Sequence, residues 1–91
     1  MEDYKFLLPI IGRYLATTLD IRMIQQYNVI SYHCVYRFAI IEIKHRERGI
    51  YYAVCEIFYD DKQVMEPFAH EIRTYNTKQR AEILYTALTA L

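Results

Sequence analysis

The sequence predicts an α+β domain in the order α-β-β-β-α: a three-stranded antiparallel meander with N- and C-terminal helices packed on one face. Three observations predict it. Residues 35–45 and 50–59 are two runs of alternating apolar side chains, rich in β-branched and aromatic residues as a pleated surface prefers. The polar stretch Arg46, Glu47, Arg48, Gly49 separates them with hairpin chemistry. Residues 77–91 then place apolar side chains at helical spacing.

Taken in order, Ile10, Ile11, Tyr14, Leu15, Thr18 and Leu19 recur with helical period. Pro9 either kinks a helix begun at Asp3 or occupies the first turn of one starting nearby. A second helical segment, Asp20 to Tyr27, has Asp20 as its cap and Asn28 as its stop. The first strand follows from Val35 to Lys44, the second from Ile50 to Tyr59, and Asp60 and Asp61 mark a tight turn. A third strand spans 63–73; Pro67 lacks an amide donor, which puts this strand at an edge of the sheet. Asn76 or Thr77 caps the last helix, with Gln79 placed to complete a capping box if Asn76 is the cap. Ala81, Leu84, Leu88 and Leu91 form its apolar stripe, and Lys78, Gln79, Arg80, Glu82 and Thr86 its wet side.

Ninety-one residues make a single domain, 1–91, and a chain this short hides only about 60–65% of its unfolded surface. Its 54% hydrophobic content, with ten Tyr and four Phe, supplies the dense core that this requires. Eleven basic residues balance eleven acidic ones, so no global field draws the chain to nucleic acid or an anionic membrane, although a local patch is compatible with neutrality. No stretch approaches the roughly 20 apolar residues that span a bilayer, and neither end reads as a targeting signal; a cytoplasmic location and no membrane partner are expected. Cys34 and Cys55 fall about 20 Å apart along the proposed hairpin, beyond disulfide reach, and both are expected as reduced, small buried hydrophobes.

Pairing His45 with Ile50 sorts the sheet into two faces. One collects Tyr36, Phe38, Ile40, Ala53, Cys55 and Ile57, against which both helices would pack. The other collects Arg37, Ala39, Ile41, Ile43, Ile50, Tyr52, Val54, Glu56 and Phe58, and is largely apolar yet uncovered in a two-layer monomer. Unless the N-terminal segment wraps across it, a patch of this size asks for a cover. Arg37, Ile41, Ile43, Tyr52, Val54, Glu56 and Phe58 are therefore the expected partner-binding residues of a homodimer or of a complex with another protein. The function this implies is a non-catalytic adaptor or inhibitor.

Enzymatic signatures are thin. Ser31 is the only serine, and His33 and Cys34 point to opposite faces if extended. His33, His45 and His70 lack zinc-module spacing, His70 falling on the core face near Tyr51, and Gly12 and Gly49 alone build no phosphate loop. No enzyme activity, cofactor or metal is expected. The remaining signal is basic: His45, Arg46 and Arg48 at the hairpin turn, Arg73 at a strand end, and Lys78 and Arg80 at the start of the last helix, diluted by Glu47, Glu71 and Glu82. Arg46, Arg48, Lys78 and Arg80 define the alternative function, binding of duplex RNA or DNA.

The order of elements, with Thr77, Lys78, Gln79, Arg80, Ala81 and Glu82 before the last apolar stripe, is similar to that of the double-stranded RNA-binding domain. That resemblance implies a groove-entering role for Arg46 and Arg48 and a phosphate-contacting role for Lys78 and Arg80. The chain departs from the family in lacking its proline and histidine loop motif and in carrying Glu82 where a basic residue is expected.

Overall fold

The structure is a computed structural model that describes residues 4–18, 20–58 and 66–90. It is α+β, as predicted, but its antiparallel sheet has four strands in the order β1-β2-β3-β4. A short 3₁₀ turn, Lys5–Leu7, leads into α1 (Leu8–Ala16), with Pro9 in the first turn, where a missing amide costs nothing. After a second 3₁₀ turn at Ile21–Met23 come β1 (Ile24–His33), β2 (Phe38–His45), β3 (Gly49–Phe58), β4 (Phe68–Tyr75) and α2 (Lys78–Thr89).

The segment expected to be helical after Asp20 is thus mostly strand. Its side chains Tyr27, Val29, Ile30 and Tyr32 suit a pleated surface, but irregularities between Ile24 and Gln26 and between Val29 and Ser31 break the two-residue period by which a strand is recognised. This extra strand also departs from the element order that the RNA-binding resemblance implied. Val35, Tyr36 and Arg37, expected to begin the first strand, form the β1–β2 turn instead. Arg37 adopts a left-handed backbone there (φ 62°), donating its amide to the His33 carbonyl at 2.6 Å and accepting from the Ile57 amide at 2.7 Å.

The hairpin register is shifted by one from the expected pairing. His45 faces Gly49, not Ile50, so Ile40 pairs with Val54 and Ile41 with Ala53. Gly49 permits this through its positive φ of 76°. Because side chains alternate, one residue of slip transfers every β3 side chain to the opposite face relative to β2.

The second correction follows from the first: the helices lie on opposite faces. Leu7, Ile10, Ile11 and Leu15 pack over Val29, Ala39, Ile41, Ile43, Ala53, Cys55 and Ile57. On the other side, Ala81, Leu84, Tyr85 and Leu88 pack over Ile30, Ile40, Tyr52, Val54 and Tyr75. The predicted stripe of α2 points inward as expected; Leu91, the proposed turn at Asp60 and Asp61, and residues 63–65 of the third predicted strand lie outside the described residues. Thr77, rather than Asn76, caps α2, its Oγ1 accepting from the Arg80 amide at 3.3 Å. β4 is an edge strand, as Pro67 indicated, and begins immediately after that proline.

Candidate functional site

The seven residues expected to share one partner-binding face do not share one. Ile41 and Ile43 are fully buried beneath α1, and Val54 is fully buried on the α2 side. Tyr52 packs with Val54 and donates its hydroxyl to Glu42 Oε2 at 3.3 Å. Glu56 and Phe58 follow further along β3, and Arg37 sits in the β1–β2 turn. The apolar centre of the surface on which a second chain was expected, Ile41, Ile43 and Val54, is therefore interior to one subunit, while Phe58 stays exposed at its end. Two smaller expectations also fall: His70 is exposed opposite Glu56, away from Tyr51, and Cys34 is exposed in the β1–β2 turn, whereas Cys55 is buried. Burial in apolar surroundings pushes the Cys55 thiol up to about 12, and the nearby Glu71 charge adds to the shift, so Cys55 is held as an inert thiol.

The basic residues behave differently. Arg48 from the β2–β3 turn, Arg73 from β4 and Arg80 from α2 line one solvent-open cavity of about 420 Å³, together with Thr74, Tyr75 and Asn76. None of these six is acidic. Among the described residues no carboxylate is ion-paired to any of the three guanidiniums. Lys78, by contrast, is ion-paired with Glu82 one turn on, at 3.7 Å, and neither Lys78 nor Arg46 lines the cavity. Of the four residues in the predicted basic site, the fold thus gathers Arg48 and Arg80 and adds Arg73.

Each wall of the cavity has an identifiable cause. His45, buried at the end of β2, accepts through Nδ1 from the amides of Glu47 (3.1 Å) and Arg48 (3.0 Å), which closes the turn and fixes where the Arg48 side chain begins. With Nδ1 accepting twice, the proton of the neutral imidazole belongs on Nε2, which faces Asp20 Oδ2 at 3.6 Å. The Arg48 guanidinium then lies over the Tyr51 ring at 3.9 Å. Burial raises the Tyr51 phenol above its ordinary range, with the Arg48 charge opposing, so the ring stays neutral beneath the cation. Arg80 lies over Tyr75 at 5.5 Å, and its backbone is held by the Thr77 cap. The first turn of α2 borders the cavity, so its unpaired amides add partial positive charge.

A bulge in β4 keeps the cavity free of acid. Val54 pairs with Arg73 but Cys55 pairs with Glu71, which leaves Ile72 as the extra residue. In an unbroken strand residues 71 and 73 would project from the same face, and Glu71 would sit beside Arg73. Here Glu71 is turned to the α1 side, where it accepts a hydrogen bond from the Tyr14 hydroxyl. Burial first, then that bond, raises the Tyr14 phenol far above its ordinary range, so it stays a donor at any physiological pH. Sequence reading counted Glu71 as diluting the basic patch. Nothing in the local composition marks the bulge, because the signal is a mismatch of register with β3.

Comparison with known proteins finds no matching family model, no matching curated protein and no matching solved structure. No helix among the described residues is long and apolar enough to cross a membrane.

Proposed function

We propose that this chain is a non-catalytic nucleic-acid-binding domain that holds phosphate groups in the cavity lined by Arg48, Arg73 and Arg80. The observation that carries the reading is that three arginines, from a turn, a strand and a helix, line one open concavity with no acidic residue in its lining. A neutral chain gains nothing from net charge, so recognition of an anion has to come from such local segregation. Arginine suits the task because its planar fork meets phosphate oxygens with two parallel hydrogen bonds, and cation–π contact with Tyr51 and Tyr75 restrains Arg48 and Arg80 before a ligand arrives.

The test is fluorescence anisotropy with single-stranded and duplex oligonucleotides across a salt series. Three phosphate contacts give a slope of log affinity against log salt of about −2 to −3. The double variant Arg48→Glu with Arg80→Glu is expected to lose binding at low salt while melting at an unchanged temperature. Absence of binding at low salt, or binding indifferent to that charge reversal, overturns the proposal.

A second reading, docking of a protein, is favoured by one observation at the other end of the sheet. Phe58 and Phe68 stack at 5.0 Å with their planes 13° apart, yet remain 38% and 43% exposed. Phe58 belonged to the predicted partner surface. Light scattering at high protein concentration, with and without Phe58→Ser, checks this reading: a dimer lost in the variant supports it, and a monomer throughout removes the homodimer.

A further inference from the structure

We propose, resting on the nucleic-acid reading above, that the cavity reads strand ends: it takes the terminal phosphate monoester of a nucleic-acid strand in preference to an internal phosphodiester.

The argument is one of matching donors to acceptors. Each guanidinium can present a two-donor fork, and Arg48, Arg73 and Arg80 approach the same concavity from three different elements. An internal phosphodiester carries a single charge and two free oxygens, and its bridging oxygens continue into the chain on both sides. It can satisfy one fork well and a second in part. A terminal monoester carries about −1.5 to −2 charges at neutral pH and three free acceptor oxygens, one for each fork. Shape points the same way. Elements that read a duplex from its grooves project outward, as a helix or ribbon that enters them, whereas these arginines line a hollow bordered by Thr74 and Asn76.

The surrounding contacts make the site a built one. The guanidiniums of Arg48 and Arg80 are each held over an aromatic ring, at 3.9 Å and 5.5 Å, which restrains where their donors can reach. The Ile72 bulge removes the one carboxylate that strand geometry would have set beside Arg73. Without that displacement, Glu71 would compete with the phosphate for Arg73.

The experiment uses the full chain and one oligonucleotide sequence in three forms, with a 5′-phosphate, with a 3′-phosphate and with hydroxyls at both ends, alongside a phosphoserine peptide. At moderate salt at least one phosphorylated end is expected to bind about tenfold tighter than the hydroxyl form, the gain of one further bidentate ionic contact. Millimolar inorganic phosphate should compete away that difference while leaving the weaker backbone binding. Arg73→Lys keeps the charge but not the fork; it is expected to bring the ratio of phosphorylated to hydroxyl binding close to one, and a ratio that stays near ten overturns the inference. Because Arg73 is exposed, this substitution does not threaten folding, and an unchanged circular dichroism melt verifies that. Equal affinity for all three oligonucleotides overturns the end-reading inference and leaves the general nucleic-acid reading standing. No binding to any of them overturns both. A phosphoserine peptide that binds as tightly as the phosphorylated strand overturns the assignment to nucleic acid.

Discussion

The two faces of the sheet are built on different terms. Under α1 the contact is deep: Leu7, Ile11, Leu15, Ile41 and Ile43 are fully buried beneath a rim of Tyr4, Tyr14, Tyr27 and Tyr32, and Gly12 lets the helix come so close to β1 that an added Cβ would lie 2.8 Å from the Tyr27 hydroxyl. Under α2 the helix contributes only Ala81 as a buried residue, and the seal is completed by half-buried Tyr52, Tyr75, Tyr85, Leu84 and Leu88. Tyrosine covers apolar surface with its ring and leaves a polar tip at the rim. The difference teaches where function can be placed. A deeply buried contact holds the fold together and tolerates little, whereas the shallower α2 contact leaves Tyr75 half-buried at an edge, where the Arg80 guanidinium lies over its ring.

That comparison is broken first by truncating both sides. Ile41→Ala, beneath α1, is expected to cost about 2–5 kcal/mol in chemical denaturation, because it leaves a cavity in a dry, well-packed region. Leu88→Ala, at the half-buried rim under α2, is expected to cost clearly less, about 1 kcal/mol, since water can refill the space. Equal losses at the two positions would mean that the faces do not differ as described.

The Tyr14 hydroxyl ties α1 to β4 through Glu71 and gives the α1 face an alkaline signature. Its folded pKa is raised above the unfolded value of about 10, so the stability linked to it is fully present below pH 10 and declines as pH rises above that. Denaturation midpoints followed between pH 8 and 11 should therefore fall less steeply in Tyr14→Phe than in the parent. A parallel fall in both would remove Tyr14 from the account.

Much of this architecture is legible in the amino-acid order, and the parts that are not have physical causes. The β2–β3 hairpin, the edge position of β4 and the inward stripe of α2 are all signalled by side chains that act locally: alternation around Gly49, Pro67 without its amide, and Ala81, Leu84 and Leu88 one turn apart. β1 is hidden because its bulges break the alternation. The choice between His45–Gly49 and His45–Ile50 pairing rests on one glycine's backbone angle, and that single step decided which residues were assigned to a partner and which to the core. For the site, the basic residues were visible but their sorting was not. Ion pairing removes Lys78, and the bulge at Ile72 brings Arg73 in without Glu71.

Smaller effects sharpen the picture on the α2 side. Thr77→Ala removes the cap that seats the first turn of α2 beside the cavity and is expected to cost about 1 kcal/mol, read from the melting temperature. Arg73→Gln should change stability by less than about 0.5 kcal/mol, as befits an exposed side chain kept for binding. A thiol-reactive dye at pH 8 should label exposed Cys34 quickly and buried Cys55 only as fast as the chain opens; two fast thiols would show that the α1 face is not sealed.

The most direct test is a nitrogen-resolved NMR titration of the protein with a short phosphorylated oligonucleotide, reading both backbone amides and arginine Nε signals. The account predicts shifts concentrated at Arg48, Arg73, Thr74, Asn76 and Arg80, with the Phe58 and Phe68 end of the sheet unmoved. Shifts centred on that aromatic end, or none at the three arginines at saturating ligand, would contradict it.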